Sequence, residues 1–356
     1  MTLTAESKAP GWRVVLKRSV PVVLAGILFY ALAPVLIKVV SAWPRLGSLR
    51  PAWAAVGLIA EAASFTCTFL LKRIALRTKA VFAVVTSALV GNAVTNVLPG
   101  ADATGATVEF SLLSSAGVET GAAIGGLTAT ALLQTGCLLA LPVLALPTIL
   151  AGAPVSRGLA HLAYLGLAMF VVYAAAAFFL FRNDAPLRLV GRIVQTVRNR
   201  LLPRRRPVTD LAERLVAARN STRAGLGEKW WEALLYAMGR VVLDFACLLS
   251  MLAATRTKPE PWLVLIAYVA TTVLALLPLT PGGLGLVEGS LTGLLVLAGI
   301  PASKAVLSTL AYRLASYWLP TLAGPLAYIA YQRRLHAPRG RSDRHSQERP
   351  APSARN

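Results

Sequence analysis

Apolar residues run through this chain in long blocks, separated by short clusters of Arg, Lys, Pro and Gly. A helix requires roughly 20 apolar residues to cross a hydrocarbon core about 30 Å thick. The blocks Val20–Val40, Pro51–Leu71, Thr120–Leu146, Gly158–Phe181, Lys229–Ala254 and Ala302–Tyr331 are long enough to do so. Two further blocks are interrupted. Ala80–Leu98 leads into Pro99-Gly100-Ala101-Asp102-Ala103-Thr104-Gly105 and then Ala106–Gly117, which is too short to cross. Pro261–Leu279 leads into a Gly-rich break at Pro281–Gly289 and an apolar stretch ending at Gly299. The pattern predicts an all-α polytopic membrane protein of about eight to ten hydrophobic segments, read as six spanning helices plus two re-entrant helical hairpins. Two interrupted segments in corresponding halves, entered from opposite faces, are the signature of an inverted repeat with a site near the midplane.

The expected organisation follows from these blocks. It comprises a basic N-terminus (1–19) and a first membrane half (20–182) whose hairpin breaks at 99–105. A basic loop (183–228), a second half (229–332) breaking at 281–289, and a basic tail (333–356) follow. The tail's composition predicts disorder. Within the loop, Leu187, Val190, Ile193, Val194 and Val197 recur at helical spacing with Arg188, Arg192 and Arg198 between them. That pattern fits either a helix lying on the membrane surface or a solvated linker.

Composition supports lipid as the main solvent. Hydrophobic residues make up 56% of the chain and charged residues only 14%, against about 25% charged in soluble domains. The net charge of +21 is a nucleic-acid signal by magnitude but not by placement. Lys8, Arg13, Lys17 and Arg18 precede the first apolar block, and Lys72, Arg73, Arg77 and Lys79 form a second cluster. Eleven Arg and one Lys face four acids between Arg182 and Lys229, and seven Arg face two acids from Arg333 onward. Basic clusters between apolar blocks mark cytoplasmic loops. They predict a multi-pass protein of the plasma membrane with both termini inside. Its partners are membrane lipids and the anionic inner leaflet, and nucleic acid is not among them. Parity agrees: both hairpins must begin and end on one face. Val20–Val40 exceeds a signal h-region and reads as an uncleaved helix. Arg outnumbers Lys by 28 to 8, which points to a GC-rich bacterial genome.

Conventional chemistry is missing. Cys67, Cys137 and Cys247 lie singly in apolar blocks and read as small core residues, and His161, His336 and His345 lack metal-ligand spacing. No phosphate loop, nucleophile elbow or zinc motif occurs, so neither a catalytic residue nor a cofactor is expected. The informative residues are the charges inside the apolar blocks, each costing roughly 2.5–3.5 kcal/mol on insertion scales. Glu61, Arg240, Asp244, Glu288 and Arg313 lie within such blocks, Glu109 lies in the first hairpin, and Asn92 and Asn96 precede its break. The candidate headgroup cavity comprises Asn96, Pro99, Gly100, Glu109, Arg240, Asp244, Pro281, Gly282, Gly283, Glu288 and Arg313. Glu61 is the candidate for proton coupling. The alternative is a set of internal salt bridges, Arg240 with Asp244 and Glu288 with Arg313, that fix helix packing. Gly121, Gly125, Gly126 and Ala129 fit close helix packing.

Pro278-Leu279-Thr280-Pro281-Gly282-Gly283-Leu284-Gly285-Leu286-Val287-Glu288, with Arg313 and Trp318-Leu319-Pro320 beyond it, resembles the C-terminal signature of the flippase-like membrane family. That family includes the transmembrane half of lysylphosphatidylglycerol synthase/flippase, the multiple peptide resistance factor. Asn96 and Leu98-Pro99-Gly100 resemble its looser N-terminal signature. The chain departs from the family after the first break, where a basic residue is common and Ala106-Thr107-Val108-Glu109-Phe110 has none. The soluble stretch 183–228, 46 residues (228 − 183 + 1), is too small for the family's aminoacyl-transferase domain. The resemblance implies a stand-alone module that moves a phospholipid or polyprenyl-linked lipid, a transporter rather than an enzyme. The alternatives are a non-catalytic partner of an envelope-lipid enzyme and a membrane glycosyl or aminoacyl transferase.

Overall fold

Apolar blocks of this length become helices because hydrocarbon supplies no partner for a free N–H or C=O, and a helix satisfies both internally. The computed structural model describes residues 49–97, 101–150, 157–201, 227–275 and 281–336, with Gly47 and scattered positions between 210 and 220. The described residues contain helices and no strand. The predicted Val20–Val40 helix, the Pro99-Gly100 pair, the 203–207 Arg run, Pro278–Thr280 and the tail from 337 lie outside them.

In chain order the helices are α1 (Pro51–Ala75), α2 (Val81–Val97), α3 (Ala101–Ser115), α4 (Thr120–Leu150), α5 (Arg157–Arg182) and α6 (Asp184–Leu201). Then follow α7 (Trp230–Ala254), α8 (Pro261–Ala275), α9 (Leu286–Leu297), α10 (Ala302–Arg313) and α11 (Leu319–His336). A π turn at Leu314–Trp318 joins α10 to α11. It sits just before Pro320, whose missing N–H and bulky ring disrupt regular α pairing there. Pro51–Ala75, Thr120–Val143 and Trp230–Ala254 are long and apolar enough to cross a membrane.

Both breaks are narrower than the sequence pattern predicts. Residues 101–105 belong to α3, and Leu286–Gly289 form the first turn of α9. Among the described residues the second break comprises a 3₁₀ turn at Pro281–Gly283 and Gly285, where positive φ values interrupt regular structure. Ala101 and Leu286 are good helix formers, so regular helix resumes directly after Gly100 in the first hairpin and after Gly285 in the second.

The helix ends establish direction. The Arg50 N–H donates to the Ala254 carbonyl at 3.0 Å, placing the start of α1 beside the end of α7. Arg73, Arg77 and Lys79 line one recess with Lys229 and Glu232, so the end of α1 and the start of α2 lie with the start of α7. Hairpin α2/α3 therefore enters from this basic end. Hairpin α8/α9 follows the far end of α7 and enters from the opposite side. α10–α11 runs back from the far end, where the Thr255 and Ser308 hydroxyls meet at 3.0 Å, to the basic end. There the Tyr331 hydroxyl donates to the Leu112 carbonyl at 2.6 Å and Arg334 lies 4.5 Å over the Phe82 ring. At 1.5 Å per residue, the 17 residues of α2 reach roughly 25 Å, short of a full crossing.

The main core joins α1, α4, α7, α8, α9 and α10 through Leu71, Leu141, Leu248, Leu252, Val264, Leu291 and Ala311. Ile59, Val172, Phe179, Leu235 and Leu326 point outward, each more than half exposed. An apolar exterior of this kind needs lipid around it. Cys137 and Cys247 are buried and all three cysteines are unpaired, as expected of small core residues. Of the α4 glycines, Gly126 packs against α1 at Ala75, whereas Gly121 is exposed. The predicted amphipathic stretch is the helix α6, with Leu189 and Ile193 exposed. It is tied down by Arg219, which pairs with Asp184 and donates to the Asn183 carbonyl at 3.2 Å.

Hairpin α2/α3 is held at contact distance by Gly105. A Cβ there would stand 1.9 Å from the Thr95 hydroxyl and 2.6 Å from the Gly91 carbonyl. Gly105→Ala is expected to lower stability by about 1–3 kcal/mol, the usual cost of overpacking. Gly293→Ala, with nothing within 4 Å of the added carbon, leaves it unchanged. Melting of the two purified variants by fluorescence-detected size exclusion checks the contrast.

Candidate functional site

The two hairpins enter from opposite ends and their tips meet. Residue Asn96 closes α2, and Gly282 lies at the turn between α8 and α9. The Tyr317 hydroxyl, from the π turn, donates to the Asn96 carbonyl at 2.8 Å. Asn96 Nδ2 donates to Thr321 Oγ1 at 2.7 Å, and that hydroxyl donates back to the Tyr317 carbonyl at 2.6 Å. Asn96 is thus held through both its backbone and its side chain. Gly282 fits because it has φ 57° and no Cβ, which would lie 2.4 Å from the Asn96 carbonyl and 2.0 Å from the Tyr317 hydroxyl. Any other residue would push the tips apart.

Arg313 organises the same junction. Its Nε donates to Glu288 Oε1 at 2.8 Å, and Nη2 donates to the Gly282 carbonyl at 3.3 Å. The guanidinium stacks 4.0 Å over the Tyr317 ring, and Tyr317 meets Trp318 edge-on at 4.9 Å. The second Glu288 oxygen accepts the Gly285 N–H at 2.6 Å, fixing the carboxylate at the N-terminus of α9. Arg313 is 9% exposed in its side chain and Glu288 is 23% exposed. Along α9 and its cap, Gly285, Gly289 and Gly293 recur at four-residue spacing, all exposed, with open space where each Cβ would stand.

The remaining charges form two other groups, and no hydrogen bond or salt bridge joins the three groups among the described residues. Asp244 on α7 accepts hydrogen bonds from the Tyr268 hydroxyl of α8 and, at 3.0 Å, from the Tyr312 hydroxyl of α10. Arg240, one turn away as the sequence spacing predicts, stands 3.7 Å from Asp244. Ser64 Oγ donates to the Arg240 carbonyl at 2.9 Å, tying α1 to α7. Glu61 is buried beside this group, facing Asp244, Arg240 and Cys247, and neither of its oxygens accepts a hydrogen bond from a described residue. The third group is the ion pair of Glu109 with Lys72, at 2.7 and 2.9 Å to the two carboxylate oxygens. The acidic departure in the first hairpin therefore has a cation after all, supplied by α1.

Of the sequence-selected residues, the structure brings Asn96, Gly282, Glu288 and Arg313 together, with Gly283 adjacent and buried. Arg240, Asp244 and Glu61 lie in the second group and Glu109 in the third. Pro99 and Gly100 lie outside the described residues, and only the backbone of Pro281 is described. Sequence reasoning missed Tyr317, Thr321, Tyr268 and Tyr312. Their signal was a hydroxyl within an apolar block, which must find a partner when buried.

The sequence profile of the family described as the lysylphosphatidylglycerol synthase TM region matches residues 22–324. A UPF0104 membrane protein of Methanothermobacter thermautotrophicus is 37% identical over 98 residues, 28% of this chain and 28% of that protein's own length. No solved structure matches.

The Glu288–Arg313 pair predicts strong coupling. Arg313→Met leaves a half-buried carboxylate without its cation, at a cost of about 3–5 kcal/mol. The double variant with Glu288→Gln is expected to lose less than the two single losses together, by about 0.5–3 kcal/mol. Additive losses in thermal melts would show that the pair is not coupled.

Proposed function

Because the chain belongs to the family of the lysylphosphatidylglycerol synthase transmembrane region, we propose that it moves a lipid between the leaflets of the plasma membrane. The headgroup crosses where the two hairpin tips meet while the acyl chains stay in hydrocarbon. On this reading the protein is a transporter and not an enzyme, and its basic end faces the cytoplasm.

The observation that carries the reading is the Asn96–Tyr317–Gly282–Arg313–Glu288 junction. A guanidinium paired with a partly exposed carboxylate is a relay that an anionic headgroup can enter. A phosphate can offer Arg313 a bidentate contact in place of the single Nε–Oε1 bond to Glu288. Glu288 keeps its second partner, the Gly285 N–H, while Arg313 is engaged elsewhere. The exchange therefore leaves the Glu288 carboxylate partly satisfied by that N–H rather than stripped of every partner, which lessens the cost of parting the pair. The uncovered glycine side of α9 gives a headgroup a route to the pair.

The transport assay uses proteoliposomes carrying fluorescent phospholipids or polyprenyl phosphates. Translocation faster than in empty vesicles is expected for at least one lipid. Glu288→Gln lowers the rate about tenfold or more, ~1.4 kcal/mol of barrier, at unchanged abundance. Gly289→Leu adds a side chain in open space, so it preserves folding and slows transport by occluding the route. Rates equal to empty vesicles across a broad lipid panel would overturn the proposal. Lipid phenotypes that only follow protein amount would favour the scaffold reading.

A further inference from the structure

The basic end carries a second feature, on helices that do not contribute to the hairpin junction. The last turn of α1 and the loop to α2 face the start of α7 across a recess of about 690 Å³. Its lining includes Arg73, Arg77, Lys79 and Lys229 against one acid, Glu232, among the described residues. Arg73, Lys79 and Lys229 pair with no carboxylate among the described residues. Arg77 follows α1 in the left-handed region at φ 49°. Glycine is usual just beyond a helix, because any Cβ there is strained. A strained arginine whose guanidinium lies at the recess, 3.7 Å from where a Cβ on Gly227 would stand, marks a position kept for its charge.

An apolar groove adjoins the recess at Gly227. This groove, about 630 Å³, lies between α4, α5 and α7 and is lined by Cys137, Phe170, Tyr173, Ala174, Trp230 and Met238 among others. Gly227 lines both spaces. Each falls in the range of small-molecule sites, about 300–1,000 Å³. A cationic chamber and an apolar channel that share one wall match an amphiphile with a negative head.

We propose that this composite site binds an anionic phospholipid, its phosphate held by Arg73, Arg77 and Lys79 and an acyl chain lying in the groove beside Trp230. The charge complementarity is one-sided: four cations to one acid select an anionic over a zwitterionic headgroup. The apolar groove selects a lipid over free phosphate. The site does not rest on the transport proposal, since it shares no residue with the Glu288–Arg313 junction.

Native mass spectrometry of the full chain released from nanodiscs tests the site. Wild type is expected to retain phosphatidylglycerol over phosphatidylcholine by about fivefold or more, what one basic residue near a surface supplies. Arg77→Gly removes the charge and relieves the turn, so the preference is lost while the melting temperature holds or rises. A merely structural arginine would give the opposite result. Ala174→Trp, at an exposed groove position, lowers phosphatidylglycerol retention without unfolding the chain. Glycerol phosphate fails to displace the lipid. Equal retention of the two lipids, preference unchanged in Arg77→Gly, or full displacement by glycerol phosphate would each overturn the assignment. Transport by Arg77→Gly, measured separately, is unchanged if the site and the junction are independent.

Discussion

A polypeptide that breaks its helices inside hydrocarbon must return every freed N–H and C=O to protein, because nothing else there can bond them. Among the described residues, part of that demand is met where the two hairpin tips join. The Asn96 carbonyl, left over where α2 ends, is taken by the Tyr317 hydroxyl, and the Gly282 carbonyl at the other tip is taken by Arg313. Each broken helix is completed by groups from α10–α11, which runs past both. The π turn at Leu314–Trp318 lies within this stretch. Such turns recur at functional sites because they re-aim side chains without ending a helix.

The buried charges obey the same rule by different means. Asp244 is held chiefly by two tyrosine hydroxyls, with Arg240 at the longer distance of 3.7 Å. Glu109 is paired with Lys72 through both oxygens. The Glu109–Lys72 pair is enclosed by packed helices. The other two pairs each join one buried and one partly exposed partner, Asp244 with Arg240 at 32% and Arg313 with Glu288 at 23% side-chain exposure. What distinguishes the Glu288–Arg313 pair is its place where the two broken helices meet, with both partners also bonded to the backbone of the second break.

Under the two proposals, two parts of the bundle would do different jobs. The basic end, with its recess and groove, would hold an anionic lipid, and the hairpin junction deeper in the bundle would pass a headgroup. The two lie on different sets of helices, so lipid bound at the basic end could persist while the junction turned over.

Sequence alone determined the class of the protein and much of its outline. Blocks of apolar residues, charges confined to their ends, and two Pro-Gly interruptions each have a single physical reading in lipid. The approximate course of the helices and the opposed entry of the two hairpins followed from them, whereas residues 101–105 and Leu286–Gly289, assigned to the breaks, are helical. The i, i+4 placement of Arg240 and Asp244 was equally legible, because helix geometry makes it local. What required tertiary structure was every partnership between distant segments. Asn96 and Tyr317, Lys72 and Glu109, or Asp244 and Tyr268 are joined by packing, which one sequence without its fold does not reveal. For the same reason the charges that looked like one cavity in sequence resolve into three groups. Tyr312 and Arg313 are neighbours in the chain, yet successive residues of a helix face different directions, and each serves a different cluster.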